Sequence, residues 1–286
     1  MASARPRTRP AGAATRPAVG DPAAGSGVSE QDVFRHNQRA WDHQVRVGNR
    51  WTQPVDPEAV ARAREGELSL LLTPNRPVPS EWLPSPLRGT RILCLAGGGG
   101  QQGPLLAAAG AVVTVVDASE GQLGQDRKVA EREGLTLTTV QADMADLSAF
   151  ETASFDLVFH PVSNLFVADV RPVWREAARV LRRGGELLAG FVNPLYFLFD
   201  DDALGRGELV VRYRIPYADP EQLDSASLDA LMAQNEPLCF GHSLTDQIGG
   251  QLDAGLAMIG LYEDRWEDKA IDDLIATFVA TRSRKL

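Results

Sequence analysis

Four consecutive glycines, Gly97 to Gly100, follow the strand-like run Arg91-Ile92-Leu93-Cys94-Leu95, and this feature restricts the fold more than any other part of the sequence. The next strand-like run, Val112 to Val116, is closed by an acid, Asp117. Glycines let a backbone pass within contact of a ligand, because no Cβ stands in the way and positive φ carries no penalty. A helix opening after such a turn presents free backbone N–H groups. A carboxylate ending the second strand can accept hydrogen bonds from a pair of vicinal hydroxyls. Strand, glycine turn, helix, strand and acid together make a half-site for a nucleoside.

The alternation continues along the chain. Strands are predicted at 91–95, 112–116, 137–141, 155–160 and 186–191, the last entered through Gly184-Gly185. Between them helices are predicted from Pro104 to Ala109, from a Ser119/Gln122 capping box to about Glu133, and from Asp169 as cap through Leu181. Upstream, helices are expected at about 33–45 and 57–72, the second with Asp56 as cap and Pro57 in its first turn. Five prolines in 74–86 make an extended surface connector. A helix at about 245–256 and strands at 261–266 and 277–281 follow. Repeated β-α units specify a parallel sheet with helices on both faces. The expected fold is therefore α/β: a doubly wound, Rossmann-like, mostly parallel seven-stranded sheet in three αβα layers, with a small insertion after the fifth strand. The boundaries read as a disordered tail at 1–28 and one domain at 29–286. The domain divides into a helical cap (29–88), a cofactor-binding core (89–194), a substrate-side insertion (195–245) and the final helix and strands (246–286).

Composition narrows the function classes. The chain carries a formal charge of −9, and its first twenty residues contain four arginines and no acid, so the body is more acidic than the total. Such a body repels nucleic-acid backbones and anionic membrane surfaces. No apolar run reaches the roughly eighteen residues of a membrane span. Two cysteines, Cys94 and Cys239, argue neither for a disulfide framework nor for zinc. A soluble, cytoplasmic, reducing setting is expected, with organelle targeting by the arginine-rich, proline-broken residues 1–28 as the alternative. The oligomeric state is not legible.

Two readings of the nucleoside site compete. Gly98-Gly99-Gly100-Gln101-Gln102-Gly103 satisfies the G-x-G-x-x-G pattern of dinucleotide sites, with Asp117 at a suitable distance. That reading gives an NAD(P)-binding oxidoreductase. Residues 91–191, however, resemble the core of class I S-adenosylmethionine-dependent methyltransferases, most like the small-molecule, type 11-like branch. The resemblance rests on Ile92 to Gly100 as the cofactor loop, Asp117, Asp143-Met144, Phe155-Asp156-Leu157-Val158-Phe159-His160, and Val180-Leu181-Arg182-Arg183-Gly184-Gly185-Glu186-Leu187-Leu188. It implies methyl transfer from S-adenosylmethionine to a small-molecule acceptor. It further implies a cofactor pocket of Trp51, Ala96, Gly97, Gly98, Gly100, Gln101, Asp117, Ala118, Gln122, Asp143, Met144 and His160, in which Asp117 takes the ribose and Asp143-Met144 the adenine edge. Cys94 and Ala96 depart from the family's usual acid and first glycine. Gln101, Gln102, Asn49, Arg50 and Trp51 are candidates to complete the pocket. The same departures keep open a catalytically silent methyltransferase fold that acts only as a binding protein.

Catalytic groups are harder to read, because displacement at a sulfonium needs alignment in a dry pocket more than it needs a base. His160, ending the fourth strand, can serve as catalytic base, as cofactor-pocket residue or as structural hydrogen bonder. His242 can contact substrate, cap the last helix or sit in the core, while His36 and His43 are expected to be solvated. Asp200-Asp201-Asp202 reads as a solvated turn, since adjacent acids on a loop do not converge on a metal, and no metal is expected. Asp146 and Asp156 are expected to cap or pair locally. The aromatics Tyr196, Phe197, Phe199, Tyr213 and Tyr217 either pack the insertion onto the sheet or wall an acceptor pocket, with Tyr213 and Tyr217 as its candidates. No Asn/Asp-Pro-Pro-aromatic signature follows the fourth strand, where the chain reads His160-Pro161-Val162-Ser163.

Overall fold

The computed structural model describes residues 29–267 and 269–286. A first helix, α1 (Glu30–Arg46), is capped by Ser29 in a reciprocal capping box with Asp32. A 3-10 turn (Arg50–Thr52) and α2 (Pro57–Arg64) follow. Asp56 caps α2 through the Ala59 N–H, as its sequence predicts, but the helix stops at Arg64 instead of reaching residue 72. The reason is Gly66, whose φ of +91° ends the helix and frees residues 68–72 to run along the sheet.

The core then alternates as expected: β1 (Arg91–Leu95), α3 (Gln102–Ala108), β2 (Val112–Asp117), α4 (Glu120–Glu133), β3 (Thr138–Gln141), β4 (Phe155–His160), α5 (Arg171–Val180) and β5 (Leu181–Val192). β5 is twice the predicted length, because Gly184-Gly185 form a register shift inside the strand rather than a turn before it. The insertion contains α6 (Asp201–Gly205), a two-stranded ribbon of β6 (Tyr217–Ala218) and β7 (Phe240–Gly241), and the helices α7 (Asp219–Gln222) and α8 (Ser225–Ala233). After it come a π-turn (Thr245–Gly249), α9 (Gly250–Asp253), β8 (Leu256–Asp264) and β9 (Phe278–Lys285).

The seven-stranded sheet has the order β3-β2-β1-β4-β5-β9-β8; its strands run parallel except β9, which is antiparallel to both of its neighbours, β5 and β8. Strand period decides its two faces. Ile92 and Cys94 of β1 pack with α2, α3 and α4, whereas Leu93 and Leu95 pack with α5. Strand order reverses between β1 and β4, and the crevice outside the carboxyl ends at such a point is where open α/β sheets bind ligands. Two coverings close over that end. Residues 70–74 cross it: Leu72 O accepts the Val162 N–H, and a Cβ at Gly190 would lie 2.1 Å from that same oxygen. α1 and the insertion share a third core of Val33, Leu231, Leu238 and Phe240.

His36 and Asn37 belong to that junction, which corrects the expectation of a solvated His36. The insertion folds back onto α1, so the buried His36 ring donates from Nε2 to Glu236 O (2.8 Å), while Asn37 exchanges hydrogen bonds with the backbone of Leu238. His43 is half-buried. Asp156 pairs with Arg91 and Arg182 as expected, and Asp146 accepts from Ser148 N.

Candidate functional site

A cavity of about 450 Å³ runs across the carboxyl ends of the strands, from Asp143 beyond β3 to Phe278 at the start of β9. One half is built by β1, β2 and β3. The glycine loop bends through Ala96 (φ +46°), Gly99 (+106°) and Gly100 (+74°), and it brings Gly97 and Gly98 to the cavity wall. Asp117 stands at the end of β2, its Oδ2 accepting the Gly98 N–H (3.1 Å) and its Oδ1 the Ser119 N–H (2.9 Å). Burial raises its carboxyl to about 6 against these hydrogen bonds, with Asp42 adding repulsion. The expected capping box is therefore half made. Ser119 caps the Gln122 N–H, but Asp117 rather than Gln122 takes the Ser119 N–H. Gln122 Oε1 is left buried at the cavity wall without a hydrogen-bond partner. A buried carbonyl in that position is an acceptor held ready for a ligand donor.

Beneath the loop lies an acid that no sequence motif singles out. Asp126 of α4 is fully buried, and its Oδ2 accepts the Gly99 N–H (3.0 Å). Burial pushes it up to about 8, while the Gly100 and Gly99 N–H groups pull the other way. Cys94, at the position where a loop acid was missing, is close enough to feel the Asp126 charge, and burial drives its thiol upward.

The 49–53 segment closes this half. Gln101 Nε2 donates to the carbonyls of Arg50 and Gln53, Gln125 Nε2 to Thr52 O, and the Val55 N–H to Gly100 O. Trp51 lines the cavity, and the Arg50 guanidinium sits 4.2 Å from its ring centroid and 5.1 Å from that of Trp266. Gln102 lines the cavity and holds residues 70–74 in place, its Oε1 accepting the Leu71 N–H (3.2 Å). Ala118, Asp143 and Met144 also line the wall, and Asp143 accepts the Ala145 N–H (2.9 Å).

The second half lies over β4, β5 and β9, walled by Tyr196, Phe197, Phe199, Tyr213 and Tyr217 with Trp266 and Phe278. Phe197 stacks on Tyr217 (5.4 Å, 22°), and Tyr213 meets Tyr217 edge-on (5.1 Å). Asp201 and Cys239 complete this wall, and neither stood out in the sequence as a site residue. The acidic triplet is not a solvated turn, because Asp200 is buried as the cap of α6 and Asp201 accepts from the Tyr196 hydroxyl. Folding of the insertion brings these acids inward, which sequence adjacency alone could not indicate.

Three predicted site residues lie off the cavity. His160 is fully buried. Its Nδ1–H donates to Leu95 O (2.8 Å), and its Nε2 has no hydrogen-bond partner and points into a core shared with Trp174. Burial lowers it to about 4, which keeps the ring neutral, and the side chain does not line the cavity. His242 Nε2–H donates to Asn164 O (3.0 Å) in the turn after β4, and its side chain does not line the cavity. Gly100 packs against Gln125 O and Pro54, so it shapes the loop from behind. Among the described residues no group of three metal-ligating side chains comes together.

Comparison with known proteins agrees with this architecture. Residues 93–189 match a family model described as a methyltransferase domain. The chain is 53% identical over 254 residues to the uncharacterized methyltransferase YbaJ of Bacillus subtilis, spanning 89% of this chain and 99% of that protein. Two crystal structures share the fold. A putative S-adenosylmethionine-dependent methyltransferase from Listeria monocytogenes aligns with a TM-score of 0.55 at 16% identity, over 72% of this chain and 94% of that one. An S-adenosylmethionine-dependent methyltransferase from Mesorhizobium loti aligns with a TM-score of 0.54 at 20% identity, with the same coverage.

Proposed function

We propose that this chain, which belongs to the class I S-adenosylmethionine-dependent methyltransferases, transfers a methyl group to a small-molecule acceptor. The observation that carries the reading is the single cavity whose two halves differ in chemistry. The half beside β1 to β3 has what an adenosine needs: a carboxylate at the end of β2, a glycine wall without side chains, Asp143 and an unpartnered Gln122 carbonyl. A Cβ at Gly98 would stand 2.8 Å from Gln122 Cβ and 3.0 Å from Asp117 Oδ2, so the cradle tolerates only glycine there. Asp117 would hold the ribose, and Asp143 with Met144 the adenine edge. When bound, S-adenosylmethionine supplies an electrophilic methyl group on a positively charged sulfur.

What the protein contributes is position and dryness. The other half of the cavity is aromatic, and side chains from residues 51, 71–74 and the insertion line the space, a covering that would limit the access of water once both ligands are bound. Alignment of nucleophile, methyl and sulfur in such a space can account for much of the rate without a strong base. Small-molecule specificity is supported by a cavity of about 450 Å³ and, among the described residues, by a wall without a cationic side chain to follow a nucleic-acid backbone. The test is transfer of labelled methyl groups from S-adenosylmethionine into a cell extract split into metabolite, protein and RNA fractions. Label should appear in the metabolite fraction, and label confined to protein or RNA would refute the small-molecule assignment.

A further inference from the structure

Charge is distributed one-sidedly around the cavity. Among the described residues, no lysine, arginine or histidine lines it, whereas Glu30, Asp117, Asp143, Asp169 and Asp201 do. Asp201 is the carboxylate of the aromatic half. The Tyr196 hydroxyl donates to it, and Phe197, Tyr213 and Tyr217 stand around the same space. Two cations lie nearby without lining the wall. Lys269 Nζ is 3.8 Å from Asp201, and the Arg50 guanidinium lies against the rings of both Trp51 and Trp266.

This arrangement discriminates among nucleophiles. A carboxylate or phosphate acceptor would meet no cation on the described wall, Lys269 being already paired with Asp201, and a charge taken from water without a partner is strongly disfavoured. A phenol or thiol would have to ionise among carboxylates, which raise its pKa. An amine attacks as the neutral species, and the positive charge that begins on sulfur ends on nitrogen. Ring faces and a carboxylate placed at that nitrogen stabilise the charge where it develops.

We infer that the acceptor is an amine with an apolar or aromatic body, its nitrogen received by Asp201 and the rings of Phe197, Tyr213 and Tyr217. The inference rests on the methyl-transfer function proposed above. The ammonium of the incoming amine first gives a proton to solvent, and Asp201 stays a carboxylate. The nitrogen lone pair then forms the new N–C bond as the S–C bond breaks, and the sulfur keeps that bonding pair as a neutral thioether. Tyr196 acts through Asp201, holding its carboxylate in place.

Matched probes of opposite charge test this on the intact protein. S-Adenosylhomocysteine affinity is measured first. The protein saturated with that ligand is then titrated with phenethylamine and tryptamine, and with 3-phenylpropanoate and indole-3-propanoate, which carry the same rings. The amines should bind at least ~ten-fold tighter than the acids. Asp201→Asn should reduce amine affinity by ~ten-fold while leaving S-adenosylhomocysteine affinity unchanged, and Tyr196→Phe should weaken amine binding less, in the same direction. Equal or tighter binding of the acids, absence of an amine preference, or unchanged amine affinity in Asp201→Asn would each overturn the inference. Failure to bind S-adenosylhomocysteine at all would instead overturn the methyltransferase reading beneath it.

Discussion

Replacing Asp126 with asparagine separates the role of a buried charge from the role of the hydrogen bond it makes. The Asp126 carboxyl is sealed under the glycine loop, with one oxygen accepting from Gly99 and the other without a hydrogen-bond partner. Its ordinary value of 3.8 is raised to about 8, mainly by burial. Between those two pH values the folded protein keeps a proton that the unfolded chain has released. Stability therefore falls as pH rises, by about 1.4 kcal/mol per pH unit while the difference is one whole proton. From pH 6 to pH 8 the wild type should lose ~2 kcal/mol through this group, the slope flattening as Asp126 itself ionises. Asparagine keeps an acceptor for the Gly99 N–H and cannot ionise. Wild type and Asp126→Asn should then diverge with rising pH, by ~4–8 °C in melting temperature for a domain of this size. Thermal unfolding of both proteins at pH 6, 7, 8 and 9 is the assay, with Asp117 and the other titrating groups common to both curves. Parallel pH profiles would refute the buried-charge account. Asp126→Ala removes the acceptor as well and should be ~1–3 kcal/mol less stable than Asp126→Asn at every pH, because it leaves a buried loop N–H unpaired.

Other substitutions probe the frame around the cavity. Gly190→Ala should destabilise the fold by ~3 kcal/mol or more in urea unfolding, because the new methyl would overlap the backbone of Leu72, which flexible side chains cannot relieve. His160→Gln should lower the melting temperature yet leave turnover per folded molecule within a few-fold, and a loss of activity with stability intact would restore His160 as a base. Tyr213→Ala should reduce turnover while sparing S-adenosylhomocysteine affinity, and unchanged kinetics on the natural acceptor would move the acceptor site elsewhere. Deletion of residues 1–28, which lie outside the described residues, should leave both melting temperature and cofactor affinity unchanged.

The parallel core was legible because its signals are local. Strand period, the glycine run, the Asp56 cap and the Asp117 terminus each depend on a few neighbouring residues, and all reappear in the structure. What escaped the sequence depends on contacts between distant segments. Asp126 looks like any polar residue on a helix until the Gly99 N–H is placed against it, and Asp201 looks solvated until α6 tucks it beside Tyr196. His160 is the opposite case. Its place at the end of β4 is that of a site residue, but its side chain turns to Leu95 and the α5 face of the sheet. In β5, Gly184-Gly185 resemble a turn, yet they are absorbed as an irregularity because β4 continues to pair on both sides of them.

What binds beside Asp117 decides whether this cavity is an S-adenosylmethionine site. Calorimetric titration of S-adenosylhomocysteine and of NAD+ into the wild type and Asp117→Ala measures this directly. S-Adenosylhomocysteine should bind the wild type, and removal of a charged hydrogen bond worth ~1.5–3 kcal/mol should weaken it roughly ten- to a hundred-fold, with no binding of NAD+ to either protein. Equal affinity of wild type and Asp117→Ala for S-adenosylhomocysteine, or preferential binding of NAD+, would contradict that assignment.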